Sequence, residues 1–575
     1  MKPIIFRTKK PVVAAETLEA RIAPATFTVL NLNDSGVGSL RQAVLDANGT
    51  PAADTIAFAK TLSGILTLTS GELEVTEPLT VKGPGAAKII INGNKNSRIF
   101  SVNDGTDAKD SPFTVSGLGL TNAFTTGSGG AIYSDESLTV KDCVISANEA
   151  DSGGGIYVED SPNNKVLIAD TLVSGNTASS GWGGGLYLDS GKGTTIVNTV
   201  VTGNTASAGG GGAYLDLSPA ADFEPKMVIT GSIFTNNSSQ SRGGGIAVDL
   251  SDFPLIISKT EISGNTSAGP GGGLYLDGAT LTLTNSTIVG NSSGTDNSGD
   301  GGGIFSKNSK VSIKNSRILN NASGEDGGGI AFLGSVDENL TVNGGVLAGN
   351  TAVGAGGGIV GTTGGVVIVK GTNFFANRSL SSGGGISTSN DASLEISGGV
   401  YEGNSAAIGG AVDTTGIGTA LIKGAKFLSN RTTSGADGGA LYLRTTTTAS
   451  VLKCLFVGNT AGGDAGAIAL GDSGVFTLSG LTVRNNTAGE FGGGVSVFSG
   501  TTANITKSIF KSNYSDKGGG AIATFSGIVN VATSIITGNA SKVSSGGIYK
   551  SGTVTVAATT KLFGNVAPTS PDKNF

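Results

Sequence analysis

The chain has 575 residues, 96 of them glycine, with no histidine, two cysteines and a formal net charge of −6. This balance argues against nucleic acid or an anionic membrane surface as the main partner, and the missing histidines remove most zinc sites and every His-dependent triad. No stretch reaches the roughly 18 to 20 apolar residues of a transmembrane helix. Cys143 and Cys454 lie about eleven repeats, on the order of 50 Å, apart in apolar strand segments, and read as small buried side chains that do not pair.

Residues 1–25, "MKPIIFRTKKPVVAAETLEARIAPA", are basic at the start and then weakly apolar. The runs Pro3 to Phe6 and Pro11 to Ala15 fall short of a signal-peptide core of about 7 to 15 residues. "TLEARIAPA" resembles the Leu-Glu-Pro-Arg-type segment near the start of surface and secreted proteins of planctomycetes and related bacteria, with Ala20 in place of the proline. The resemblance implies an export or sorting segment, expected to be disordered, and a bacterial protein that is secreted or associated with the cell surface or outer membrane.

Residues 26–116 are expected to form an N-terminal cap and the first irregular coils. Within "GSLRQAVLDANG" (38–49), Ser39 can cap a short helix whose apolar face is Leu40, Ala43, Val44 and Ala47, and Asn48-Gly49 ends it. Such a helix would cover the open end of a repeat stack.

From 117 to 567 two motifs recur in step. The first is a glycine corner followed by alternating residues: "SGGGIYVED" (152–160), "GWGGGLYLDS" (181–190), "GGGGAYLDL" (209–217), "RGGGIAVDL" (242–250) and "GGGLYLDG" (271–278). A phosphate-cradling glycine loop would open a helix and occur once or twice. Here Leu186-Tyr187-Leu188-Asp189 has the period of a half-buried strand, so the corner is architecture. The second motif is an apolar residue, two variable positions and asparagine. It gives Asn148, Asn176, Asn204, Asn237, Asn265, Asn291, Asn321, Asn350, Asn377, Asn404, Asn430, Asn459, Asn486, Asn513, Asn539 and Asn565, spaced 26 to 33 residues apart, with Asn122 marking an earlier, weaker coil.

A unit of this length with short β-rich runs and no helical period cannot bury its own apolar face, and must stack on its neighbours. The expected fold is all-β: one right-handed parallel β-helix of about 17 or more coils, a rod on the order of 80 to 90 Å long. Asparagine at a fixed turn predicts a ladder in which each amide bonds to the coils on both sides. Residues 568–575 are left as a tail.

The pairing of GG-[GA]-[ILV] with apolar-x-x-Asn resembles the repeats of chlamydial polymorphic outer membrane proteins and related bacterial β-helix proteins. "GSLRQAVLDANGTPAADTIAF" (38–58) is similar to the CSLREA segment that opens many of them, with Gly38 and Gln42 in place of its cysteine and glutamate. By resemblance the role is structural or adhesive. About ten residues follow Asn565, so no C-terminal autotransporter barrel is expected in this chain.

After the glycine corner, positions one and three should point inward and positions two and four outward. Position two gives Tyr133, Tyr157, Tyr187, Tyr214, Ala247, Tyr275 and Phe305; position four gives Asp135, Glu159, Asp189, Asp216, Asp249 and Asp277, then Lys307. Stacked carboxylates repel unless water, a cation or a ligand separates them. Beside a row of rings they suggest a strip for a polysaccharide or another cell-surface protein, with rings stacking on sugar faces and acids accepting from hydroxyls. Calcium is a second option, and a soluble half-exposed surface is the plainest.

Right-handed β-helices also host polysaccharide lyases and hydrolases. Their sites combine acids with Arg or Lys, and hydrolases need two carboxylates at a set separation. No basic residue shares the strip's columns from Tyr133 to Asp277, the acids repeat instead of breaking the pattern once, and long loops are scarce, the largest insertion being "SPAADFEPK" (218–226). Neither catalysis, a cofactor nor a metal site is expected.

Overall fold

The computed structural model describes residues 23–106, 109–217, 226–249, 253–294, 299–416, 418–433, 435–445 and 448–569. Most of the N-terminal segment and of the 218–226 insertion lies outside them. One coil serves for all. After the glycine corner come strands Leu186–Asp189, Thr194–Val197, Val200–Thr202 and Thr205–Ala206, each pairing in parallel with the same strand of the next coil, as in Leu186↔Ala213, Thr194↔Met227, Val200↔Ile233 and Thr205↔Ser238. The first two strands share a 36-stranded sheet, the third a 19-stranded one and the fourth a 15-stranded one. Nineteen rungs, from Gly64–Thr67 to Lys561–Phe563, make a stack about 85 Å long. Alternation does the rest: Leu186, Leu188, Ile196 and Val201 face one continuous core.

The helix Leu40–Asn48 sits where the sequence places it, against the first strands. Ser39 Oγ accepts from Gln42 N at 3.2 Å, and Leu40, Ala43, Val44 and Ala47 are buried. Gly49 closes the helix with right-handed backbone (φ −77°), so it acts by lacking a side chain at the turn, not through a left-handed cap. Arg41 fixes the helix to the coil below through Asp34 (2.8 Å) and the carbonyls of Gly71 and Glu72 (2.7 Å each). Burial opposes ionisation of Asp34, but hydrogen bonds from Ser70, Arg41 and Thr69 outweigh it and hold its carboxyl at about 2.

Each corner has its own solution. At the glycine corner Gly183 has φ +69°, and a Cβ on Gly184 would lie 2.5 Å from Thr205 O of the next coil. At the asparagine corner each Nδ2 donates both to the next asparagine's Oδ1 and to a carbonyl of the previous coil: Asn265 reaches Asn291 Oδ1 and Phe234 O at 2.9 Å each. Its own Oδ1 accepts from Asn237 N and Nδ2 at 3.0 Å. The ladder runs unbroken from Asn148 to Asn565. Asn122 is not its first rung. Ala123 holds that register and donates its N–H to Asn148 Oδ1 at 3.0 Å, while Asn122 takes the left-handed position just before it (φ 51°), where Ala147, Gly175, Gly203 and Asn236 stand in later coils. The ladder asparagines themselves are not left-handed; the residue before each one turns the corner.

A second left-handed corner precedes the third strand, at Asp142, Asp170, Asn198, Gly231, Lys259 and Asn285. The next residue is commonly Ser or Thr, forming a hydroxyl ladder: Thr199 N donates to Ser232 Oγ, Thr260 N to Ser286 Oγ and Ser286 N to Ser316 Oγ, all at 3.2 Å. Cys143 and Cys454 occupy this column. Both are buried free thiols, and Cys143 donates to Lys141 O at 3.2 Å. Burial pushes each thiol up to about 11.

Inside the rod, Phe374, Tyr401, Phe427 and Phe456 stack with centroids 4.9 Å apart. Tyr401 is fully buried, and among the described residues its hydroxyl has no hydrogen-bond partner. An unpaired buried hydroxyl costs about 1 to 3 kcal/mol, and phenylalanine keeps the stack. Tyr401→Phe therefore raises the midpoint of denaturant unfolding; a lower midpoint would mean that the hydroxyl is satisfied.

Candidate functional site

The outward columns of the first strand carry the strip. Cα partners run Tyr133↔Tyr157↔Tyr187↔Tyr214↔Ala247↔Tyr275↔Phe305 and Asp189↔Asp216↔Asp249↔Asp277. Asp135 and Glu159 follow their strands one residue beyond the paired segment, and Glu159 N donates to Ser134 O at 2.9 Å.

The rings lie face to face along the rod. Centroids are 5.9 Å apart for Tyr133–Tyr157, 4.3 Å for Tyr157–Tyr187, 5.0 Å for Tyr187–Tyr214 and 5.2 Å for Tyr275–Phe305, with interplanar angles of 25° or less. The rung spacing imposes this, because a half-extended ring on each strand lands on the one below. Tyr214, Ala247, Tyr275 and Phe305 are in fact buried, forming with Ala331 and Val360 a second apolar cluster outside the main core. The faces expected to stack on sugars are thus covered by other rings, and edges, hydroxyls and carboxylates are what the strip presents.

Two arginines enter from outside the aligned columns. Arg242, just before its glycine corner, fills the gap left by Ala247: its guanidinium lies 4.7 Å from the Trp182 ring and 4.8 Å from that of Tyr275. It donates to Asp249 at 2.6 Å and to Tyr275 Oη at 3.1 Å. Arg98 covers the first ring, 5.1 Å from Tyr133, and pairs with Glu72 at 2.7 Å. The acids are therefore not a bare ladder. Tyr133 Oη donates to Glu159, and Tyr214 Oη to Asp249 at 2.9 Å. Asp135 accepts from Asn103 Nδ2 at 3.1 Å, and Asp277 from Asn308 Nδ2 at 2.9 Å, with Lys307 at 4.0 Å. Asp189 is buried beside Tyr187 and Asp216. Burial, then the neighbouring charge of Asp249, raises the Asp216 carboxyl, and burial raises the phenols of Tyr157, Tyr187, Tyr214 and Tyr275. These hydroxyls stay protonated and able to donate. Among the described residues no group of three or more Asp, Glu or Cys is arranged to hold a metal ion.

Three acids elsewhere set a pH dependence. Burial pushes Glu136 up to about 7 beside Asp104 and Asp110, and Asp300 and Asp464 up to about 6 beside Asp326 and Asp437. The fold favours their neutral forms, so the stability they contribute is fully present below the unfolded values near 4 and is lost as pH rises through 6 to 7. Asp34 works in the opposite sense, losing its contribution as pH falls from the ordinary range towards 2. Melting temperature should rise on acidification from pH 8 to about 4.5 and fall below about 3.5; a monotonic loss below pH 7 would contradict these assignments.

Residues 77–256 match the family model of the right handed beta helix region. The fold is a right-handed parallel β-helix. The matched residues span the first regular coils of the β-helix and most of the strip. No curated protein matches the chain. Among solved structures, the catalytic unit of the thermostable GH87 alpha-1,3-glucanase from Streptomyces thermodiastaticus strain HF3-3 is 12% identical over 95% of this chain and 70% of that one, with a TM-score of 0.18. That likeness bears on neither the strip nor catalysis. No helix among the described residues is long and apolar enough to cross a membrane.

Proposed function

We propose that the protein is an extracellular or surface-attached bacterial rod with a structural or adhesive role, and that the comb of phenol hydroxyls and carboxylates from Tyr133 to Asp277 is its contact surface for a hydroxyl-rich polymer, a polysaccharide. The resemblance to polymorphic outer membrane protein repeats supports the role, and the N-terminal "TLEARIAPA" supports the address. The observation that carries the surface is the register: the half-buried Asp216, Asp249 and Asp277 fall on successive rungs, repeating acceptors about every 4.8 Å along one line. A periodic polymer can satisfy such a line unit by unit. With ring faces covered, recognition rests on hydrogen bonds, so binding should be enthalpic and lost with the hydroxyls.

The test keeps the stack and removes the polar edge. Tyr157→Phe/Tyr187→Phe/Asp277→Asn should keep the parent melting temperature within about 3 °C and weaken calorimetric titration with the best-binding polysaccharide by tenfold or more. Equal affinity, or no saturable heat from the parent with any acidic or neutral polysaccharide, would overturn the reading. Sustained heat with new reducing or unsaturated ends would establish a lyase or hydrolase instead.

A further inference from the structure

On the two-residue sheet the outward position holds hydroxyl residues or alanine for most of the rod, including Thr177, Thr205, Thr266 and Thr351. Glu149 opens the row and Tyr514 stands near its end, and between them cations break it at one place. Arg378 and Arg431 occupy it on alternate rungs with Ser405 between them, in the register Arg378↔Ser405↔Arg431. Both arginines are exposed, and among the described residues neither guanidinium has an ion pair or hydrogen bond. Together with Ser405, Thr432 and Thr433 they line a groove of about 370 Å³ that contains no acid. Glu402, three residues before Ser405, lies on the adjoining sheet beyond Gly403 and does not line it.

We propose that this groove is an oxyanion site, binding a sulfate or carboxylate group carried on a polysaccharide. Two rungs separate the arginine Cα atoms by about 9.6 Å, so the long side chains can converge from both sides on one group above Ser405. Guanidinium remains charged at any working pH and presents a planar fork that suits both anions. Adjacent like charges on parallel strands repel, and the intervening serine relieves that repulsion while adding a hydroxyl donor. In a chain of net charge −6, attraction for an anion here is local. The site lies on a different sheet from the tyrosine comb and does not depend on it.

The experiment titrates the full chain with dextran sulfate, polygalacturonate and neutral dextran at constant ionic strength. Dextran sulfate or polygalacturonate should bind at least tenfold more tightly than dextran, the tighter of the two naming the oxyanion. Arg378→Gln/Arg431→Gln should lose that preference at an unchanged melting temperature, and Ser405→Ala should weaken it about threefold. Arg317→Gln, an exposed arginine on another sheet, should leave it intact. Parent-like binding by the double arginine variant, an equal loss in Arg317→Gln, or no preference in the parent would overturn the proposal.

Discussion

Asn265→Leu should lower the unfolding free energy by about 4 kcal/mol. The Asn265 carboxamide accepts from Asn237 N and Nδ2 and donates to Phe234 O and Asn291 Oδ1, all at 2.9 to 3.0 Å and all buried. Leucine has similar bulk but satisfies none of these. The Asn237 N–H is left facing a methyl group, which alone costs about 1 to 3 kcal/mol, and the branched side chain must displace the neighbouring amides. Because repeat arrays unfold through their weakest interface, the midpoint of guanidinium unfolding should fall, and amide exchange should accelerate first in the coils from 237 to 291. A midpoint within error of the parent would remove the ladder from the account of stability.

The second large effect is at the glycine corner. A Cβ on Gly184 would sit 2.5 Å from Thr205 O and 2.6 Å from Thr205 C, backbone atoms of the next coil that cannot swing away. Gly184→Ala should therefore cost about 3 kcal/mol or more. Gly175→Ala supplies the contrast. Gly175 has φ +62° but nothing within 4 Å of its would-be Cβ, so only the left-handed backbone is penalised, by about 1 to 2 kcal/mol; Ala147 and Ala376 already adopt that conformation in other coils. Equal losses for the two variants would show that backbone conformation, not close approach of successive coils, makes the corner glycine-rich.

The repeat is easy to read because two of its positions admit almost one residue type. The asparagine must both donate and accept across a rung, and the corner glycines have no room for a Cβ, so both motifs recur in register and the stack follows from them. The helix Leu40–Asn48 is legible for a similar reason, since Ser39 and the four apolar residues signal it locally. The left-handed corners are harder. Asp142, Asn198, Gly231 and Lys259 share a backbone conformation, not a residue type, and the hydroxyl ladder beside them tolerates Cys143. Asn122 misleads because asparagine suits both the ladder and the left-handed position one residue earlier.

The strip divides along the same line. Alternation places Tyr133 to Phe305 and Asp189 to Asp277 on the outer face, but spacing along a strand says nothing of how rings on successive rungs meet. Arg242 could have been found: it stands immediately before a glycine corner, in the one coil whose ring position is Ala247. Its planar cation substitutes for the missing ring, a contact between columns that aligning the coils on one position hides. Ring stacking changes the chemistry of the surface more than its location. It withdraws aromatic faces and leaves hydroxyls and carboxylates as the groups that meet a ligand.

Trp182, the sole tryptophan of the chain, lies in this surface, 5.0 Å from the Tyr214 ring and under Arg242. Its emission therefore reports directly on whether the comb is a recognition surface. Titrating the full chain with polysaccharides should give a saturable change in Trp182 emission, at the concentrations where calorimetry reports binding, and Tyr157→Phe/Tyr187→Phe should shift that titration to higher concentration. Calorimetric binding that leaves Trp182 emission flat would place recognition elsewhere on the rod and contradict the account.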